Sequence, residues 1–131
     1  MNILDNIVES TKLRVARDKA ENFTATSKTP LQPFAFEHAL QVPPSMKFIC
    51  EVKRASPSKG IIAQDFPYVQ IAQEYEAAGA AAISVLTEPE FFHGSDAYLQ
   101  EIRAAVRTPL LRKDFTIDAF QIEQAAQLGA D

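Results

Sequence analysis

Apolar and polar residues change their period along this chain, and each change marks an element boundary. Between Ile3 and about Ala20, Leu4, Ile7, Val8 and Val15 recur at helical spacing, with Thr11 between them. The spacing predicts an amphipathic helix with Lys12, Arg14, Arg17 and Lys19 on its wet face. The periodicity lapses over ENFTATSKTPLQP (21–33), which reads as a linker. PFAFEHALQ then predicts a short helix that starts near Pro33 and ends before Pro43-Pro44.

From Met46 the pattern is different. KFICEV (47–52), AAISVLT (81–87) and PLLRKDF (109–115) are short, mostly apolar runs and predict strands. Between and after them, YVQIAQEYEAAG (68–79), SDAYLQEIRAAV (95–106) and DAFQIEQAAQLG (118–129) predict helices. Val69, Ile71, Ala72 and Tyr75 share one face of the first. Ser95 or Asp96 caps the second, and Asp118 with Gln121 forms a capping box on the third. Continuous rather than alternating strands imply that helices cover the sheet, as in parallel strands joined by helical crossovers.

A repeat lies inside this order. Gly79 ends one helix in YEAAGAAAISVL and a strand follows at once; AAQLGAD closes the chain at the equivalent point. By that rhythm another strand is expected after Asp131. A (β/α)₈ barrel takes about 250 residues. The fold expected is therefore α/β: the first half of a (β/α)₈ TIM barrel, three βα units at 46–131, preceded by an N-terminal helical extension and linker at 1–45. Open sheet edges and an exposed inner face in such a half-barrel predict a homo-oligomer. A flavodoxin-like or receiver-like binding module has the same order of elements. It needs about five strands, however, and no helical arm. A receiver would also carry an acidic cluster after its first strand, which is absent here. A non-catalytic half-barrel assembly fragment is the other alternative.

Composition narrows the function classes. The 131 residues are 47% hydrophobic and 23% charged, with 13 basic and 17 acidic side chains and a net charge of −4. That balance argues against nucleic acid as a partner. No apolar run is long enough to span a bilayer, and MNILDNIVES lacks the basic start and apolar core of a secretory signal. The single Cys50 excludes an internal disulfide, and its apolar setting reads as a buried thiol in a reducing compartment. The cytoplasm is the expected location.

Strand parity then picks out candidate chemistry. Residues two apart share a face, so Ile49, Glu51 and Lys53 form one set and Phe48, Cys50 and Val52 the other. The apolar set is expected against the helices, which points Glu51 and Lys53 into the barrel near its C-terminal mouth. Leu111 and Lys113 repeat the arrangement. Charges at the C-terminal ends of barrel strands read as site residues; the alternative is a structural ion pair of Glu51 with Lys53 or Lys113. Arg54, Lys59, Arg112 and Asp114 read as solvated or loop-pairing residues. Ser56-Pro57-Ser58-Lys59-Gly60 reads as a tight βα turn able to offer N–H groups to an anion, although turns use these residues widely. Phe91 and Phe92 follow the second strand, where one ring can pack inward and one meet a ligand, or both can cover helix ends. His38 reads as a surface or capping residue, and His93 as a turn residue.

CEVKRASPSKG, AAISVLTEPEFFHGS and PLLRKDFTIDAFQI together resemble indole-3-glycerol phosphate synthase, and the resemblance runs from residue 1 to 131. It implies a (β/α)₈ barrel lyase of tryptophan biosynthesis with no cofactor and no metal. The implied substrate is a phosphorylated small molecule, 1-(2-carboxyphenylamino)-1-deoxyribulose 5-phosphate, which is closed, decarboxylated and dehydrated. By motif, Lys113 matches the family's general acid, and Lys53 the lysine that meets substrate anions. Glu51 matches the glutamate that stabilises charge and positions Lys53. Phe92 matches the aromatic lining the ring pocket, and Ser56 and Pro57 the first bordering loop. The resemblance also implies residues from strands four to eight, including a second glutamate, an asparagine, a glutamate-serine pair and most of the phosphate cradle. These are absent, so the 131-residue chain alone is expected to have no useful turnover.

Overall fold

In the computed structural model, which describes residues 1–27, 29–30, 32–41 and 45–131, ten elements follow one another. They are α1 (Ile3–Ala20), α2 (Ala35–Gln41), β1 (Ile49–Val52), β2 (Ala55–Ser56), β3 (Gly60–Ile61), α3 (Tyr68–Ala77), β4 (Ala82–Leu86), α4 (Asp96–Ala105), β5 (Leu110–Lys113) and α5 (Ala119–Leu128). Three helices start behind side chains that take their orphan N–H groups. Asn2 and Asp5 cap α1 reciprocally, Ser95 rather than Asp96 caps α4, and Asp118 and Gln121 form the expected box on α5. At the other end of α5, Gly129 adopts φ 98°, which lets the Ala130 N–H return to Ala125 O at 3.0 Å.

β1, β4 and β5 form one parallel sheet in the order β1-β4-β5, with Glu51 opposite Ser84 and Leu86 opposite Lys113. The chain is thus an open part of a (β/α) barrel, with α3, α4 and α5 on one side of the sheet. The core lies between them: Val52, Ile83, Val85 and Leu110 from the strands meet Ala72, Leu99, Ile102 and Leu128 from the helices, all buried. β4 is buried at every position because it is the central strand. On the inner face Ile49 and Leu111 remain 49% and 41% exposed.

Several expectations are corrected. Ser56–Gly60 is not a simple βα turn. β2 and β3 pair antiparallel, Ala55 with Ile61 and Ser56 with Gly60, so the segment is a hairpin. Ser56 Oγ accepts the Lys59 N–H at 3.3 Å, and Gly60 takes φ 64° to close the turn. Of the outward set, Val52 is buried but Cys50 is half-buried and Phe48 exposed. Phe48 precedes the paired part of β1 and contributes its carbonyl, which accepts the Ala81 N–H at 2.9 Å. α1 buries only Ile7, Thr11 and Val15, leaving Leu4 exposed; the Thr11 hydroxyl is satisfied by Ile7 O at 2.8 Å.

Arg14 does not lie on a wet face, and of the solvated or loop-pairing reading of Arg112 and Asp114 the pairing holds and the solvation does not. The Arg14 guanidinium forks onto Asp114 at 2.7 and 3.0 Å. Burial opposes its charge, but the Asp114 hydrogen bond and field, with Asp96 and Glu88 behind, hold it above its ordinary pKa. Arg112 lies on the helix side of β5 and bonds Asp96 at 2.8 Å and Gln121 O at 3.3 Å. A guanidinium flanked by apolar strand residues needs such partners, because burying it unpaired is costly. α2 buries no residue, and His38 is exposed beside Phe34. The Pro43-Pro44 stop lies outside the described residues. Among the described residues, no helix is long and apolar enough to cross a membrane.

Candidate active site

The inner face of the sheet gathers its charge at the C-terminal ends of β1 and β5. The register sets Glu51 beside Ser84 on β4, with Lys113 two residues further toward the rim on β5. Lys113 Nζ donates to Glu51 Oε2 at 2.9 Å, and Ser84 Oγ donates to the same oxygen at 3.4 Å. Lys53 Nζ stands 3.8 Å from Glu51 Oε1. One carboxylate therefore lies between two ammonium groups, which leaves one positive charge in excess. All three side chains keep contact with solvent, at 28% exposure for Glu51, 37% for Lys53 and 52% for Lys113. The cluster can hold an anion and offer a proton in one place.

Packing from outside fixes this face. The Tyr75 hydroxyl, from α3, donates to the Glu51 carbonyl at 3.0 Å. Burial of that phenol, and then the fields of Cys50 and Glu51, raise its pKa. Ser84 was not singled out by sequence, although it is the one polar residue inside the apolar run of β4.

The loop after β4 is built around Glu88, whose buried carboxylate accepts N–H groups from Glu90, Phe91 and Phe92 at 3.1, 2.7 and 3.0 Å. Gly94 closes the loop. A Cβ there would lie 2.3 Å from Leu86 O and 2.6 Å from Thr87 C, so no other residue fits without moving backbone. Phe91 and Phe92 are both half-buried, and the Phe92 ring lies 6.1 Å from that of Phe115 beyond β5. His93 is exposed at φ 53°, in a turn.

The structure thus brings Glu51, Lys53 and Lys113 together and sets Phe92 against Phe115. Ser56 and the exposed Pro57 sit on the hairpin that follows β1; among the described residues no hydrogen bond joins Ser56 to the charged trio. Of the charges read as solvated or loop-pairing, Arg54 reaches the Tyr98 hydroxyl at 3.4 Å and Lys59 is exposed. No group of three metal-ligating side chains occurs among the described residues.

Residues 4–131 match the family model described as indole-3-glycerol phosphate synthase. The indole-3-glycerol phosphate synthase of Ruminiclostridium cellulolyticum is 56% identical over 98% of this chain and 52% of its own length. Those of Endomicrobium trichonymphae and Lachnoclostridium phytofermentans are 52% and 48% identical, again over 98% of this chain. The chain spans about half the length of the curated relatives it matches.

Proposed function

The chain belongs to the indole-3-glycerol phosphate synthase family, and we propose that it supplies the first three βα units of a barrel that makes indole-3-glycerol phosphate. In this reading 1–45 is the helical extension and 46–131 the barrel part. The observation that carries the proposal is the convergence of Lys113 and Lys53 on Glu51 at the C-terminal rim of a parallel sheet.

The reaction asks for what these groups can do. The ring carbon bearing the carboxylate of 1-(2-carboxyphenylamino)-1-deoxyribulose 5-phosphate attacks the ribulose keto carbon. Loss of carbon dioxide and then water restores aromaticity. Lys113 protonates the keto oxygen as the carbon–carbon bond forms. Lys53 meets the substrate's anionic groups and stabilises the charge they carry into the transition state. Glu51 holds both ammonium groups in place and offsets their mutual repulsion. Phe92 lines the ring pocket, and Ser56 and Pro57 border it. The complete enzyme is a carbon–carbon lyase of the cytoplasm that acts without a cofactor.

Half a barrel leaves the remaining groups to other strands, so the 131-residue chain alone turns over no substrate and associates through its open inner face. The test is product formation, followed by indole fluorescence. It compares the chain alone with a full-length barrel joining this chain to the C-terminal half of the Ruminiclostridium cellulolyticum relative. Turnover only in the completed barrel is expected. A folded, completed barrel without turnover refutes the reading, and comparable turnover by the chain alone refutes the division of labour. A monomeric, sharply melting 131-residue chain in sedimentation refutes the self-association.

A further inference from the structure

Asp114 follows Lys113 directly, and its carboxylate is saturated with donors while only 1% exposed. Oδ1 accepts Arg14 Nη2 at 2.7 Å and the Phe115 N–H at 2.8 Å. Oδ2 accepts Arg14 Nη1 at 3.0 Å and the Thr87 hydroxyl at 2.8 Å. Thr87 also donates its own N–H to Lys113 O at 3.0 Å. The peptide carrying Lys113 is therefore held on one side by the end of β4 and on the other by a residue of α1.

We propose that Arg14 is a positioning residue for Lys113: its fork on Asp114 fixes the end of β5 and so aims the Lys113 ammonium and the Phe115 ring. The inference rests on the reading of Lys113 as the proton donor. Lys113 is half-exposed, and Glu51 is its hydrogen-bond partner among the described residues. Its direction therefore depends on the backbone beneath it. Arg112 is a poor substitute for Arg14, since it stands 4.0 Å from Asp114 and is already engaged by Asp96. Docking of α1 has its own means. Ile7 and Val15 are buried, Lys19 pairs with Asp118 at 2.7 Å, and Gln124 donates to Asp18 at 3.0 Å. The fork is thus an addition to that docking and reaches the strand end itself. A two-pronged guanidinium fixes both distance and plane of the carboxylate, which a single ammonium does not.

The test compares Arg14→Met, Arg14→Lys and Lys19→Met in the completed barrel, with kcat and KM measured separately well below each variant's melting temperature. Arg14→Met is expected to lower kcat by about tenfold or more with KM within about threefold, as misplacement of a reacting group does. Arg14→Lys keeps the charge but loses the fork, and is expected to lose about threefold in kcat. Lys19→Met loosens the same helix and is expected to keep kcat within about twofold. Unchanged kcat in Arg14→Lys and Arg14→Met overturns the inference, and so does a Lys19→Met loss equal to that of Arg14→Met. Should Arg14→Met fail to fold, Arg14→Lys against Lys19→Met decides. A parent barrel without turnover overturns the functional reading as well, and is seen before any variant is made.

Discussion

Replacing Glu88 with alanine withdraws one carboxylate from three backbone N–H groups at once. Hydrogen bonds to a charged acceptor contribute about 1.5–3 kcal/mol each, so three sum to roughly 4–9 kcal/mol gross. Part of that returns, because Glu90 is exposed and Phe91 and Phe92 only half-buried, so water can reach the freed N–H groups. A net loss of about 3 kcal/mol follows. For a completed barrel of roughly 250 residues that lowers Tm by about 6–12 °C. Glu88→Gln keeps one acceptor oxygen but turns an NH₂ toward the donors, and is expected to lose about half as much. The functional consequence is as specific: Phe92 loses the bond that fixes its backbone, so KM rises more than kcat falls. Thermal unfolding by circular dichroism, with steady-state kinetics, checks both. A Tm change below about 2 °C for Glu88→Ala, or an unchanged KM, refutes the reasoning.

Two further outcomes follow from the structure. Gly94→Ala drives a methyl group into Leu86 O and Thr87 backbone, so it is expected to destabilise by about 1–3 kcal/mol by overpacking and to raise KM through the same loop; urea unfolding checks the first, and wild-type stability contradicts it. Glu76 accepts the Arg107 N–H and both the N–H and hydroxyl of Thr108 at 2.7–2.8 Å. Burial alone would raise its pKa, but those donors and the field of Arg103 hold it below the ordinary 4.5. Its contribution is therefore present above about pH 4.5 and is lost as pH falls through the lower folded-state value. The urea midpoint of Glu76→Gln is expected below wild type at pH 7, with the gap narrowing at pH 3. A gap that stays constant contradicts this.

Much of the arrangement was legible in the residues, and what was not has identifiable causes. Parity along 47–52 and 109–115 was enough to place Glu51, Lys53 and Lys113 on one face, because a period of two admits no other assignment once the apolar partners are turned to the helices. The Asp118–Gln121 box is local, so its spacing carries it, whereas spacing leaves the α4 cap between Ser95 and Asp96 until the Ser95 hydroxyl is seen to accept the Ala97 N–H. The hairpin of β2 and β3 was invisible because two-residue strands have no period. The partnership of Arg14 with Asp114 spans 100 positions, and an arginine on a helix reads as solvated until its partner is seen. Arg112 misled for a related reason: a charge on the helix-facing side of a strand is unexpected unless Asp96 and Gln121 are known to meet it. Glu88 draws no attention in the sequence, where its only signal is its position directly after an apolar strand, ahead of Pro89 and two aromatics.

The ammonium of Lys113 is the group on which the proposed chemistry turns, and exchanging it for a neutral side chain of similar length is the most direct test. With Lys113 half-exposed, loss of its ion pair with Glu51 costs about 1 kcal/mol or less, so Lys113→Met in the completed barrel should fold as the parent does. Removal of a positioned proton donor is expected to lower kcat by about 10²–10⁴-fold while KM moves little. A folded Lys113→Met barrel whose kcat stays within about threefold of the parent would contradict the account.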